Sequence, residues 1–156
     1  MLMRIAGIVP ESIVDGPGFR LTVFVQGCPH GCEGCHNPET HDFAAGTLID
    51  TDEIVSMMDN PILDGITLSG GEPFCQPEAC IELVRAAKVR GLNVWVYTGY
   101  TFDEVVLRGS LERSLLELAD VLVDGPYIQT LRTLDAPWRG SKNQRLIDVQ
   151  KTIVSK

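Results

Sequence analysis

Gly27-Cys28-Pro29-His30-Gly31-Cys32-Glu33-Gly34-Cys35-His36 brings three thiols into ten residues at the spacing C-x3-C-x2-C. A cubane iron–sulfur cluster that only carries electrons takes four thiolates. This spacing supplies three and leaves one iron open to a small molecule. Positions 28, 32 and 35 would share one face of a helix, but Pro29, Gly31 and Gly34 disfavour a helix there. The stretch is read as a glycine-rich loop wrapped around a metal group. A Cys3His zinc site with His30 or His36 as the fourth ligand is the alternative that spacing alone leaves open.

Outward from that loop, four apolar runs at 21–25, 66–68, 94–97 and 121–123 are nearly continuous rather than alternating, which predicts buried parallel strands. Each stops at a loop bearing glycine: Gln26-Gly27-Cys28, Ser69-Gly70-Gly71, Thr98-Gly99 and Asp124-Gly125. The unusual polar and sulfur-bearing residues therefore cluster past the C-terminal strand ends, where α/β folds place their sites. Helices are expected between the strands. Asp50-Thr51-Asp52-Glu53 and Thr101-Phe102-Asp103-Glu104 have capping-box spacing. Pro77 opens a segment with Cys80, Leu83, Val84 and Ala87 on one face and Gly91 at its end. Leu111, Leu115 and Leu118 mark another helix, and a final strand is expected at 146–149. The expected class is α/β, a partial and open (β/α) barrel of five to six mostly parallel strands, since a closed eightfold barrel typically needs about 250 residues.

The chain has 156 residues, 44% of them hydrophobic, which predicts one domain over 1–156 with no membrane-spanning segment. Five cysteines and no recognisable secretory leader place it in the cytoplasm, with metal-bound or buried thiols rather than disulfides. A net charge of −8 argues against nucleic-acid binding, which draws on clustered Lys and Arg. Cys80 reads as a small core residue, Cys75 has no assigned role, and His41 reads as solvated.

The cysteine triad together with Ser69-Gly70-Gly71-Glu72-Pro73 resembles the radical S-adenosylmethionine (SAM) enzymes. Val14-Asp15-Gly16-Pro17-Gly18-Phe19-Arg20 is similar to the segment before the cluster loop in activators of glycyl-radical enzymes. Trp95-Val96-Tyr97-Thr98-Gly99-Tyr100, Val123-Asp124-Gly125 and Trp138-Arg139-Gly140-Ser141-Lys142-Asn143-Gln144-Arg145 resemble the activators of anaerobic ribonucleoside-triphosphate reductase within that family. One departure is visible: many radical SAM loops carry an aromatic residue just before the third cysteine, near the adenine, and here it is Gly34.

The resemblance implies a radical SAM type of fold and an enzyme that reductively cleaves SAM to a 5′-deoxyadenosyl radical, which makes a glycyl radical on the reductase. The implied metal ligands are Cys28, Cys32 and Cys35, holding a 4Fe-4S cluster. Gly34, Cys35, His36, Gly70, Gly71, Glu72, Thr98, Gly99 and Asp124 are the implied SAM-binding residues, with Glu72 suited to the methionine ammonium. Asp15 to Arg20 would shape the opening for the partner's glycine loop, and the 138–145 segment would contact the partner or cover the cofactor. The implied partners are the reductase's glycyl-radical subunit and a low-potential electron donor such as flavodoxin or ferredoxin. Other readings are an activator of the pyruvate formate-lyase type, a 7-carboxy-7-deazaguanine synthase-like radical SAM enzyme, and a non-catalytic zinc or iron–sulfur module.

Overall fold

The computed structural model describes residues 1–35, 38–135 and 137–154. The four apolar runs form the centre of its sheet: β2 (Arg20–Val25), β4 (Gly65–Gly70), β5 (Asn93–Tyr97) and β6 (Val121–Asp124) are parallel neighbours in that order. Two further strands lie outside β2. They are β1 (Leu2–Ser12), antiparallel to β2, and β3 (Thr47–Asp50), antiparallel to β1. With β7 (Arg145–Asp148) antiparallel to β6, the order is β3-β1-β2-β4-β5-β6-β7, an open sheet of seven strands among the described residues.

The α/β class and the parallel centre are as expected; the count of five to six strands falls short because the N-terminal pair was not read. Along β1 only Met3, Ile5 and Ser12 are buried, so the strand lacks the continuous apolar run that betrays the central ones. The last strand ends at Asp148 rather than Val149 and runs antiparallel. Among the described residues only a 3-10 turn, Gln129–Leu131, lies between β6 and β7, without the α-helix that usually carries a parallel crossover.

Residues on one face of the centre, Leu21, Val23, Val25, Ile66, Leu68, Val94, Val96 and Leu122, are buried in the apolar core, each worth roughly 1.5–3 kcal/mol by removal from water. Helices α1 (Thr51–Met57), α2 (Pro77–Val89), α3 (Phe102–Arg108), α4 (Ser110–Leu118) and α5 (Val149–Val154) supply the other half of that core. Their ends follow the sequence cues. Thr101 and Glu104 close a reciprocal capping box, Asp50 accepts from Asp52 N, and Pro77 starts α2. Leu111 is the exception, remaining exposed on α4 while Leu116 takes its place in the core.

The other face carries Arg20, Thr22, Thr67 and Trp95, polar or aromatic yet buried. A buried cation must be paired or fully hydrogen-bonded. Arg20 donates to Thr67 Oγ1 and Ile66 O at 2.8 Å, to Asn93 Oδ1 at 3.0 Å and O at 3.1 Å, and to Pro17 O at 3.0 Å. Burial still lowers its pKa to about 10. Arg20 thus closes the N-terminal end of this face, leaving the C-terminal end for the loops. Among the described residues no helix is long and apolar enough to cross a membrane.

Candidate cofactor site

Past the C-terminal strand ends lies a cavity of about 400 Å³, within the few hundred Å³ usual for small-molecule sites. Cys28, Cys32 and Cys35 line it on one side and Ser69, Gly70, Gly71, Thr98 and Gly99 on another; Gly125, Tyr127, Trp138, Arg139, Gly140 and Gln144 complete the wall. The cysteine loop is held by its base. Buried Gln26 donates through Nε2 to Glu39 O at 2.9 Å and Asp42 O at 2.7 Å, pinning the returning chain. None of the three is in a disulfide, and each is half-buried. Burial, with Glu72 and the other two cysteines adding smaller effects, pushes the Cys28 thiol up to about 11, so metal coordination there must displace a proton.

Gly70 and Gly71 belong here for a reason the sequence does not display. A Cβ on Gly70 would stand 2.6 Å from both Val25 N and Val25 O, and one on Gly71 would stand 2.9 Å from Val25 O and Gly27 C. The missing side chains let the end of β4 close onto the end of β2, rather than making room for a ligand. The same closeness sets Gly71 N to donate to Val25 O at 3.0 Å and Glu72 N to Gly27 O at 2.7 Å. The main chain of the Gly-Gly turn is thereby fixed beside the first cysteine.

Glu72 is fully buried and is not part of the cavity lining. Its Oε1 accepts from Gly99 N at 2.8 Å and its Oε2 from Phe74 N at 3.1 Å, while Thr98 Oγ1 donates between the two, 2.9 Å from Oε1 and 2.8 Å from Oε2. His30 Nε2 lies 2.6 Å from Oε1; a carboxylate only accepts, so Nε2 carries the hydrogen. The His30 ring also meets Tyr100 edge-on, centroids 4.4 Å apart, and Arg108 stacks over Tyr100 at 4.2 Å. One carboxylate therefore ties together the cysteine loop, the Gly-Gly turn and the turn after β5.

Residues 14–147 match the family model described as a 4Fe-4S single cluster domain. The chain is 37% identical over 145 residues to the anaerobic ribonucleoside-triphosphate reductase-activating protein of Haemophilus influenzae, covering 86% of this chain and 91% of that one. The same protein of Escherichia coli strain K12 is 37% identical over 145 residues, at 86% and 92% coverage. That of Enterobacteria phage T4 is 37% identical over 146 residues, at 89% and 90%. The chain belongs to the family of anaerobic ribonucleoside-triphosphate reductase-activating proteins.

The fold of this activating-protein family member also resembles the crystal structure of QueE from Escherichia coli, with a TM-score of 0.50 at 17% identity, covering 80% of this chain and 71% of that one. The donor set fits a cluster. Three cysteines outside any disulfide share one cavity with the main chain of Gly70 and Gly71, and among the described residues no three His, Cys, Asp or Glu side chains converge on a single ion.

Of the residues expected to meet the cofactor, Cys35, Gly70, Gly71, Thr98 and Gly99 share the cavity. Gly34 does not line it; a Cβ there would lie 2.7 Å from the Gln129 side chain, so the position usually given to an aromatic residue abuts the 126–144 loop. His36 lies outside the described residues. Asp124 is buried away from the cavity, donated to by Arg145 Nε at 3.0 Å and Nη2, and by Phe102 N at 2.8 Å. It fastens β7 and α3 to β6, and Gly125 takes the place at the wall. Val14 and Asp15 reach the cavity while Arg20 does not. Cys80 is a core residue, as expected. Tyr127 carried no sequence signal; His30 entered only as an alternative zinc ligand, and Arg139 and Gln144 only within the 138–145 stretch, read as contacting the partner or covering the cofactor without saying which atoms face inward.

Proposed function

We propose that this chain is the radical SAM enzyme that activates an anaerobic ribonucleoside-triphosphate reductase by creating a glycyl radical on that partner. The observation that carries the reading is the meeting, in one cavity at the C-terminal strand ends, of three cysteines outside any disulfide, the Gly70-Gly71 main chain and the 138–144 loop. Cys28, Cys32 and Cys35 would hold the 4Fe-4S cluster, and the main chain at Ser69, Gly70 and Gly71 would receive the methionine end of SAM. When bound, cluster and SAM supply one-electron cleavage of a carbon–sulfur bond and hydrogen abstraction from a glycine Cα.

The chain's own residues orient and shield. Glu72 fixes the cysteine loop, the Gly-Gly turn and Gly99 at constant separation, and fixed placement of reactants lowers the entropic part of a barrier. Tyr127 and Trp138 add apolar ring surface to the wall, which favours expulsion of water once a partner covers the site. Val14 and Leu134, 73% and 90% exposed at this cavity, offer apolar contact to an incoming glycine-bearing loop. Flavodoxin or ferredoxin is the proposed class of electron donor.

The test uses anaerobically reconstituted protein, reduced and mixed with SAM and the reductase. A glycyl radical in the electron paramagnetic resonance spectrum, with deuterium passing from deuterated glycine into 5′-deoxyadenosine, is the expected result. SAM cleavage without any radical on the reductase would refute the partner, and absence of cleavage would refute the chemistry.

A further inference from the structure

The 138–144 loop carries a charge into the cavity. Among the described residues Arg139 is the only lysine or arginine lining the cavity, and the one lining histidine among them, His30, is committed to Glu72. Arg139 is short of acceptors. Its Nε is buried with no hydrogen-bond partner among the described residues, and Nη1 has one long contact with Gln144 O at 3.4 Å. A guanidinium keeps its charge and presents five donors in a planar fork. Buried donors of that kind require an acceptor, and this chain provides little.

The loop is built to hold the side chain there. Gln144 Oε1 accepts from Gly140 N at 2.8 Å and Ser141 N at 3.2 Å, while its Nε2 donates to Gly125 O at 3.1 Å. Lys142 N donates to Leu131 O at 2.8 Å. Trp138, immediately before Arg139, holds a left-handed φ of 57°, uncommon for a residue with a side chain. Its ring packs edge-on against Trp95, centroids 5.1 Å apart. Both neighbours of Arg139 are thus anchored, one by ring packing and one by Gln144.

We infer that Arg139 receives the carboxylate at the amino-acid end of SAM. The inference rests on the proposed function for the identity of the ligand; its own content is the pairing of charges. In SAM the sulfonium and ammonium are cationic, the ribose and adenine are neutral, and the carboxylate is the single anion. A planar guanidinium matches a carboxylate through two parallel hydrogen bonds. Arg139 is then the residue that selects an amino-acid end over an uncharged or amine-only one.

The experiment is equilibrium dialysis of anaerobically reconstituted protein against SAM and, separately, against its decarboxylated analogue, with iron and sulfide content measured for each variant. Arg139→Leu should weaken SAM binding by about tenfold or more, the worth of a charge-assisted hydrogen bond, while changing binding of the analogue less than about twofold. Arg139→Lys should fall between, keeping charge but not the fork. Where Arg139→Leu fails to retain the cluster, Arg139→Gln, which keeps length and polarity, gives the same comparison. Unchanged affinity for SAM, or equal weakening for both ligands, would overturn the assignment. A wild-type protein that retains its cluster yet binds no SAM would instead refute the proposed function.

Discussion

Replacing Glu72 by glutamine separates two roles for this carboxylate, a contact to the ligand's ammonium or an internal brace. His30 and Gly99 donate to Oε1, Thr98 Oγ1 is shared between the two oxygens, and Phe74 N points at Oε2. In Glu72→Gln the carbonyl can keep the first three only as neutral hydrogen bonds, each weaker by roughly 1 kcal/mol, and the amide NH2 now faces Phe74 N, leaving a buried donor unpaired at roughly 1–3 kcal/mol. The sum is about 4–6 kcal/mol, out of a total stability of about 5–15 kcal/mol for an ordinary domain. Urea unfolding of the cluster-free, reduced protein measures it without any cofactor present. The midpoint should fall by more than about 1 M at a slope of about 1–3 kcal/mol per M. A loss below about 1 kcal/mol, the size of a single ordinary hydrogen bond, would sink the brace and restore Glu72 to the ligand.

Cys28→Ala, Cys32→Ala and Cys35→Ala should each abolish a stable cluster, whereas Cys75→Ala and Cys80→Ala should keep it; iron and sulfide analysis after anaerobic reconstitution decides, and retention in Cys35→Ala would overturn the ligand set. Gly71→Val should destabilise the fold by roughly 1–3 kcal/mol or more, because its Cβ runs into the backbone of Gly27 rather than into the cavity. Thermal unfolding of the cluster-free protein reads this, and an unchanged midpoint would contradict the close approach of β4 to β2. Burial raises the Tyr100 hydroxyl to about 12, with Cys75 and Glu72 also contributing, and raises Tyr97 as well. Between about pH 10 and 12 the unfolded chain then holds fewer protons than the folded one, so stability should fall as pH rises. Absorbance at 295 nm should show fewer than three tyrosines ionised near pH 11 while the fold persists.

Residue order alone determined the parts of this protein whose signal is local. The spacing of Cys28, Cys32 and Cys35 keeps the three thiols in one short loop in any fold, and all three line the cavity. The runs ending at Val25, Leu68, Tyr97 and Val123 announce buried strands because a strand covered on both faces needs no polar alternation. The caps at Thr101 and Asp50 were legible for the same reason, since their partners lie within four residues. Tertiary structure decided whatever depends on residues distant in sequence. Strands β1 and β3 gain their place from pairing, and β7 pairs antiparallel with β6 after a connection that, among the described residues, holds a 3-10 turn and no α-helix. Glu72 and Asp124, both acids following parallel strands, look alike in sequence as ligand contacts. They end buried because His30, Thr98 and Gly99 converge on one and Arg145 and Phe102 on the other. Arg139 reaches the cavity by the opposite route: Trp138 packs on Trp95, 43 positions earlier, and the loop is pinned by Gln144. A buried polar group must find partners wherever the fold puts them, and that requirement is satisfied across the sheet, beyond the reach of any local pattern.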